Sequence, residues 1–362
     1  MTRSRVSKQN YSHAELTNVP NLGRRNMIIN GSMQVAQRGT SSTGTSGYHT
    51  VDRWRIQNGG VGTITTTQES TNGVAGVSKY SHKFAATNTA TLASSTDGWI
   101  RYVVETKDME NHSFTDSTRN FTLSFYVKCS NAGQSSACIT SGDFGTAQYI
   151  APFTIAAADT WQRVTITFPG NSALSSVSGD YGLRLYWNTG AGSQYLTSST
   201  NQWINTGDYG AVGDLQICGV NGRYIQFTGV QLEAGNVATT FENRSIAEEL
   251  ALCQRYLHTV RSGIVGFCSS SNGTAYWTVD MKPKMRTTPT VTCTTNSYRY
   301  GDVVSIGVTM TSITVVTNGY SSADAPIWYV TGSNSHTPAQ YRNQLLEPQN
   351  ATHGTFLIDA EL

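Results

Sequence analysis

Residues 121–129 read FTLSFYVKC. Successive side chains of an extended chain point to opposite faces, so Phe121, Leu123, Phe125 and Val127 share one face, the signature of a half-buried strand. The same alternation runs through WQRVTITF (161–168), where Trp161, Val164, Ile166 and Phe168 carry it after an irregular start. It returns in GLRLYW (182–187) at Leu183 and Leu185, and in YIQFTGVQL (224–232) at Ile225 and Phe227, then at Val230 and Leu232 after a shift at Gly229. Trp54 and Trp161, each flanked by alternating apolar positions, are expected in the core. Between these stretches lie turn-forming clusters such as GTSSTGTSG (39–47) and GNSALSSVSGDYG (170–182). Short strands separated by turn chemistry predict an antiparallel sandwich, and residues 26–242 are long enough for a jelly roll.

One segment departs from this period. SIAEELALCQRYLHTVR (245–261) places Ser245 and Glu248 in capping-box register. Ile246, Leu250, Cys253, Leu257 and Val260 then follow at spacings of 4, 3, 4 and 3, a heptad seam. The expectation is a short linking α-helix over 243–262 whose stripe packs among identical copies, as in a homotrimer, or on its own sandwich. From 263 to 362 the pattern is β again, in WTVDM, TPTVTC (288–293), VVSIGVTM (303–310), SITVVT (312–317) and GTFLIDAEL (354–362). VVSIGVTM and SITVVT are nearly adjacent, as in a tight hairpin. This stretch predicts a smaller C-terminal β-sandwich, so the fold class is mainly β.

Composition bounds the chemistry. Charged residues make up 13% of the 362 positions, about half the usual share, and the formal net charge is +2. Arg3, Arg5, Lys8, Arg24 and Arg25 against Glu15 alone give residues 1–25 a charge of +4, so the basic character belongs to an N-terminal arm, either a solvated terminus or a segment that orders on docking to a larger assembly. A nearly neutral body argues against a nucleic-acid partner. No run approaches 18 apolar residues and no apolar run follows the first basic positions, which predicts neither membrane insertion nor a secretory signal. The six cysteines show neither C-x-x-C nor a histidine at ligand spacing. They are expected as reduced, mostly buried thiols of a protein made in the cytoplasm.

Phosphate-loop, zincin and nucleophile-elbow motifs are missing, so no catalytic residue, cofactor or metal is assigned. Asp108 with Glu110, and Asp208 with Asp214, are the closest acid pairs for glycoside hydrolysis, though acids in such segments ordinarily form turns. Aromatic residues beside amides and glycines give the stronger signal, because a ring face stacks on a sugar while amides bond its hydroxyls. The glycan-binding candidates are Trp99, Trp187, Tyr195, Trp203 and Tyr209 in the first sandwich and Tyr300, Tyr320 and Trp328 in the second.

NMIINGSMQVAQRGT (26–40) followed by YHTVDRW (48–54) resembles the opening of tail-fibre and related virion appendage proteins of tailed bacteriophages, especially those of marine and cyanobacterial hosts. GVQLEAGNVATTFENRSIAEELALCQRYL (229–257) resembles the segment that closes the carbohydrate-binding-like sandwich of such proteins and leads into a helix. TWQRVTITFPG (160–170), PKMRTTPTV (283–291) and the terminal DAEL spread the likeness over most of the chain. The resemblance implies a non-catalytic structural protein of the virion, a homotrimer assembled in the host cytoplasm. Its partners would be other virion proteins of tail or capsid, and host surface polysaccharide or lipopolysaccharide. It casts Asn30, Gly31 and Trp54 as packing and turn elements, and Gln231, Glu233, Glu242 and Arg244 as parts of a strand-to-helix junction. Two other readings stay open, a capsid-anchored fibre or decoration protein and a polysaccharide depolymerase.

Overall fold

FTLSFYVKC forms the strand Asn120–Cys129, in which Phe121, Leu123, Phe125, Val127 and Cys129 are fully buried. Gln162–Pro169 pairs antiparallel with it on one side, setting Val164 opposite Phe125 and Ile166 opposite Leu123. Tyr224–Ala234 pairs on the other, setting Phe227 opposite Val127. In the computed structural model the described residues are 25–362 without 45, 61, 110–111, 142–146, 176–180, 261–263, 269–274, 294–297, 303–307, 311–313, 318–320, 332–342 and 349–354.

These strands belong to a six-stranded sheet whose long members run in the order Ile64–Glu69, Ser81–Ala86, Tyr224–Ala234, Asn120–Cys129, Gln162–Pro169. A seven-stranded sheet has Gln148–Ile155, Gly133–Ser141, Tyr181–Ala191, Asp97–Glu105 and Trp54–Gly59 side by side. Phe125 joins the two layers, edge-on to Trp187 at 5.6 Å, to Phe153 at 5.3 Å and to Phe227 at 5.8 Å. Each such pair adds about 1 kcal/mol to the 1.5–3 kcal/mol that burying a Phe contributes. The result is a jelly-roll β-sandwich.

The shift at Gly229 is a bulge. Thr228 stands opposite Tyr126 and Gln231 opposite Ser124, so the Tyr224–Ala234 strand carries one extra residue there. Gly229 has φ +59°, and a Cβ on it would come within 2.6 Å of Val77 Cγ1 and 3.0 Å of Tyr126 Cδ2. A Cβ on Gly31 would stand 2.2 Å from the Val230 carbonyl oxygen, so the chain entry must be glycine to lie against this strand. Side chains then lock that entry. Glu242 Oε2 accepts from the backbone N–H of Arg25 and of Asn26, each at 2.8 Å. The Asn26 amide donates to Val230 O and accepts from Leu232 N, and Gln231 Oε1 accepts from Glu242 N at 2.8 Å. Glu233 Oε1 accepts from Thr239 N at 2.8 Å.

Contacts divide the chain into two compact units. The first holds residues 1–33, 43–47 and 55–243, and the second holds 34–42, 48–54 and 244–362. In the second, Ser245 caps the helix Ile246–Gln254, its hydroxyl accepting from Glu248 N at 3.2 Å. The helix is nine residues long, not the roughly sixteen the heptad spacing predicts. Tyr256, His258, Thr259 and Val260 are weak helix formers. Leu257–Val260 instead pairs antiparallel with the strand Phe356–Asp359. Of the expected seam, Cys253 and Leu257 are fully buried within their own subunit, Leu250 is half-buried, Val260 lies on a strand, and Ile246 is 57% exposed. No continuous exposed stripe remains for a zipper between copies. The helix instead buries Glu249 and Cys253, four residues apart, with Arg244 Nη1 3.4 Å from Glu249 Oε1.

Leu257–Val260, Phe356–Asp359 and Thr290–Cys293 form a three-stranded sheet. Seven strands form its companion, and Ile264, Trp277 and Leu346 of the larger sheet share one core with Val291, Phe356 and Ile358 of the smaller. The expected hairpin between VVSIGVTM and SITVVT does not form. Val308–Met310 pairs with Tyr298–Asp302, Thr314–Thr317 pairs with Ile327–Thr331, and the two lie at opposite edges of the sheet.

Candidate functional site

The aromatic candidates of the first sandwich do not form an open platform. Trp187, at 0% exposure, points into the inter-sheet core against Phe125 and Phe227. Trp99, on the outer face of the seven-stranded sheet, is 4% exposed and meets Tyr186 edge-on at 5.0 Å. The segment after Ala191 folds back over that face. Its strands Leu196–Thr197 and Gly210–Ala211 pair in parallel, and Tyr209, at 0% exposure, enters a cluster with Trp99, Cys138, Ile150, Tyr186 and Ala211. The Tyr209 hydroxyl accepts from Gly98 N at 3.2 Å, and burial beside Asp97 pushes its phenol far up. Tyr195 is half-buried, its ring tilted against Tyr209 at 5.4 Å. Trp203 is half-buried at the sheet edge, 5.4 Å from Tyr149, with its indole N–H on Pro169 O at 3.0 Å. These rings serve as a second small core, because a loop that can fold across an aromatic face removes more apolar area from water than an open face does.

In the second unit, Tyr300 and Trp328 lie on the strands Tyr298–Asp302 and Ile327–Thr331, Trp328 in register with Trp277. Their side chains, and Tyr320 altogether, fall outside the described residues. So do Arg3, Arg5, Lys8 and Arg24 of the basic arm.

Of the expected acid pairs, Asp208 and Asp214 are otherwise engaged. Asp214 Oδ2 accepts from Asn188 Nδ2 at 2.8 Å, from Ala211 N at 3.0 Å and from the Ser136 hydroxyl, while Oδ1 accepts from Gln134 Nε2 at 3.0 Å. Asp208 accepts from the Thr206 hydroxyl at 2.6 Å. Glu110 lies outside the described residues. Among the described residues, no group of three His, Cys, Asp or Glu side chains is arranged to hold a metal ion.

An open aromatic face lies on the other side of the molecule's first sandwich. In Asn120–Cys129 the residues alternating with the buried Phe125 and Val127 are Tyr126 and Lys128, both half-buried on the outer face of the six-stranded sheet. Pairing carries a row across that face through Thr67, Lys83, Gln226 and Lys128. Trp161, expected in the core, stands at the end of the row instead, because the strand begins one residue later at Gln162 and Trp161 has the parity of the exposed Arg163. Its indole N–H donates to Asn72 O at 3.0 Å, and Lys128 Nζ lies 5.2 Å from its ring centre. Tyr224 is half-buried in the next row, with Lys83 Nζ 4.6 Å from its ring centre and its hydroxyl bonded to Asp159. Burial and the Asp159 carboxylate push the Tyr224 phenol up, so it stays a neutral donor.

Beside these rings the hairpin at residues 71–79 holds an open depression of about 500 Å³, lined by Thr71, Gly73 to Lys79 and Asn243. Asn72 ties it to Trp161, and Val77 reaches the same Gly229 position that Tyr126 does. Trp161, Tyr126 and Tyr224, with the neighbouring amides and hydroxyls, offer ring faces and polar donors together. The sequence signal that could have located Trp161 was the irregular start of its own alternation, which sets Trp161 out of step with Val164, Ile166 and Phe168.

The sequence matches no protein-family model and no curated protein. Solved structures share the sandwich at low likeness. The enzymatically active domain of bacteriophage CBA120 tailspike protein 4 is 13% identical with a TM-score of 0.31, covering 58% of this chain and 21% of that one. A putative sugar binding protein from Bacteroides thetaiotaomicron is 14% identical with a TM-score of 0.31, covering 58% and 99%. TmCBM61 in complex with β-1,4-galactotriose is 9% identical with a TM-score of 0.28, covering 58% and 98%. The chain thus spans about a fifth of the tailspike domain and nearly all of the other two, and likeness at this level assigns it neither ligand nor partner.

Proposed function

We propose that this chain is a non-catalytic glycan-binding protein that serves in a virion appendage and attaches the particle to polysaccharide on the host surface. The observation that carries the binding half is the half-exposed trio Trp161, Tyr126 and Tyr224 on one outer sheet face, set among Lys83, Lys128, Arg163 and an adjoining depression. Three half-buried rings on one outer face, in a chain that buries Trp99, Trp187 and Tyr209, are the kind of surface that stacks on sugar rings. The appendage half is supported by the resemblance carried by residues 26–54 and 229–257. The engagement of Asp214 by four donors supports adhesion over hydrolysis.

A microarray of bacterial surface polysaccharides tests the proposal. The wild-type chain is expected to bind a subset of spots, with no release of reducing ends. Trp161→Ala should lose that binding at least tenfold while melting at an unchanged temperature. Equal binding by Trp161→Ala and wild type would remove this face as the site.

A further inference from the structure

We infer that the glycan taken by this face is acidic, a polysaccharide bearing carboxylate or sulfate groups that meet Lys128, Lys83, Lys79 and Arg163; the inference rests on the face being a glycan site. Lys128 sits over Trp161, Lys83 over Tyr224, and Lys79 over Tyr80 at 4.8 Å. A ring face attracts an ammonium and orients its stem. It cancels none of the charge and accepts no conventional hydrogen bond, so the ammonium's three donors stay available for an oxyanion.

The surroundings compensate that charge only in part. No described carboxylate lies within 4 Å of Lys128 or Lys79, and Arg163 donates to two neutral groups, Ser124 Oγ and Thr239 O. Lys83 faces Glu69 at 3.8 Å, a loose, half-buried pair at the outer limit of an ion pair. Asp159, the other nearby acid, is held by the Tyr224 hydroxyl. Four cations in one area stand out in a chain whose charged share is 13% and whose charge beyond the N-terminal arm is slightly negative. Lys83 and Lys128 are separated by the Tyr224–Ala234 strand, two strand spacings or roughly 10 Å, so successive charges along a polymer can meet different lysines. A neutral glycan would gain only hydrogen bonds from these cations; an acidic one adds charge pairing that offsets their partial desolvation.

The test is titration calorimetry with two matched pairs of polymers, polygalacturonate against its fully methyl-esterified form and dextran sulfate against dextran. Expected is at least tenfold tighter binding of the acidic member in one pair or both, weakening severalfold between 50 and 300 mM NaCl as exposed charges are screened. Lys128→Gln and Lys83→Gln should each weaken the acidic polymer about three- to tenfold, while Lys107→Gln, exposed elsewhere on the unit, should not. Equal affinity within both pairs, or no binding of either acidic polymer, overturns the inference, as does an equal loss in Lys107→Gln. If the lysine variants are silent but Trp161→Ala weakens a neutral polymer, the glycan site stands and its acidity falls. If Trp161→Ala leaves every polymer unaffected, the site itself falls.

Discussion

Arg53 Nη1 lies 2.6 Å from Glu361 Oε2, across 308 positions of sequence, and their side chains are 1% and 4% exposed. The guanidinium also stacks 3.4 Å from the centre of the Tyr256 ring. Arg38 reaches the same carboxylate at 3.3 Å and Asp359 at 2.8 Å, and Arg286 Nε donates to Ala360 O at 2.9 Å. The VDRW and DAEL stretches therefore form one buried clasp inside the second unit. Removing one partner of such a pair leaves an uncompensated charge out of water, which costs about 3–5 kcal/mol. Glu361→Ala is expected to lower the unfolding free energy of this unit by that amount, read by hydrogen exchange at Leu257–Val260. Protection there equal to wild type would show that the clasp carries no stability.

Asp52 lies in the same clasp. Burial pushes its carboxyl up to about 6 even though the backbone and side chain of Gln37 donate to it at 2.8 and 2.6 Å and Arg38 opposes the shift. The folded state thus holds the proton more tightly than the unfolded chain. The corresponding stability is complete below about pH 4 and is lost as pH rises through about 6, a change of roughly 2–3 kcal/mol. Asp52→Asn should flatten this slope in calorimetric scans between pH 4 and 7, and an unchanged slope would assign it to another group.

His82 works in the opposite direction in the first unit. It is buried beside Phe84 on the inner face of its strand, and desolvation lowers its pKa to about 4. Below about pH 6.5 the unfolded chain takes up a proton that the folded one refuses. Sandwich stability should therefore fall by about 3 kcal/mol between pH 6.5 and 4. His82→Gln is expected to remove most of that slope in urea titrations followed by tryptophan fluorescence.

Gly229→Ala tests the bulge. An alanine there has a left-handed backbone, about 1–2 kcal/mol against it, and its Cβ would crowd Val77 and Tyr126. A loss of about 2–4 kcal/mol is expected, together with weaker glycan binding, since Tyr126 belongs to the proposed face. A variant as stable as wild type would mean that the bulge rearranges freely.

The alternation in 121–129 and its companions determined a mainly β chain of two sandwiches, because a period of two, with one face apolar, has few ways to bury that face. It also placed the shift at Gly229 and the cap at Ser245, both local effects of backbone chemistry. Tertiary pairing decided the rest. Leu257 and Val260 continue a helical period in sequence, yet the partner strand Phe356–Asp359, about a hundred residues on, takes them into a sheet. Trp99, Tyr209 and Trp161 are all large aromatic side chains. Which of them faces water depends on whether a later segment folds over its ring, and only the assembled sheets fix that, since burial is a property of neighbours brought from elsewhere in the chain.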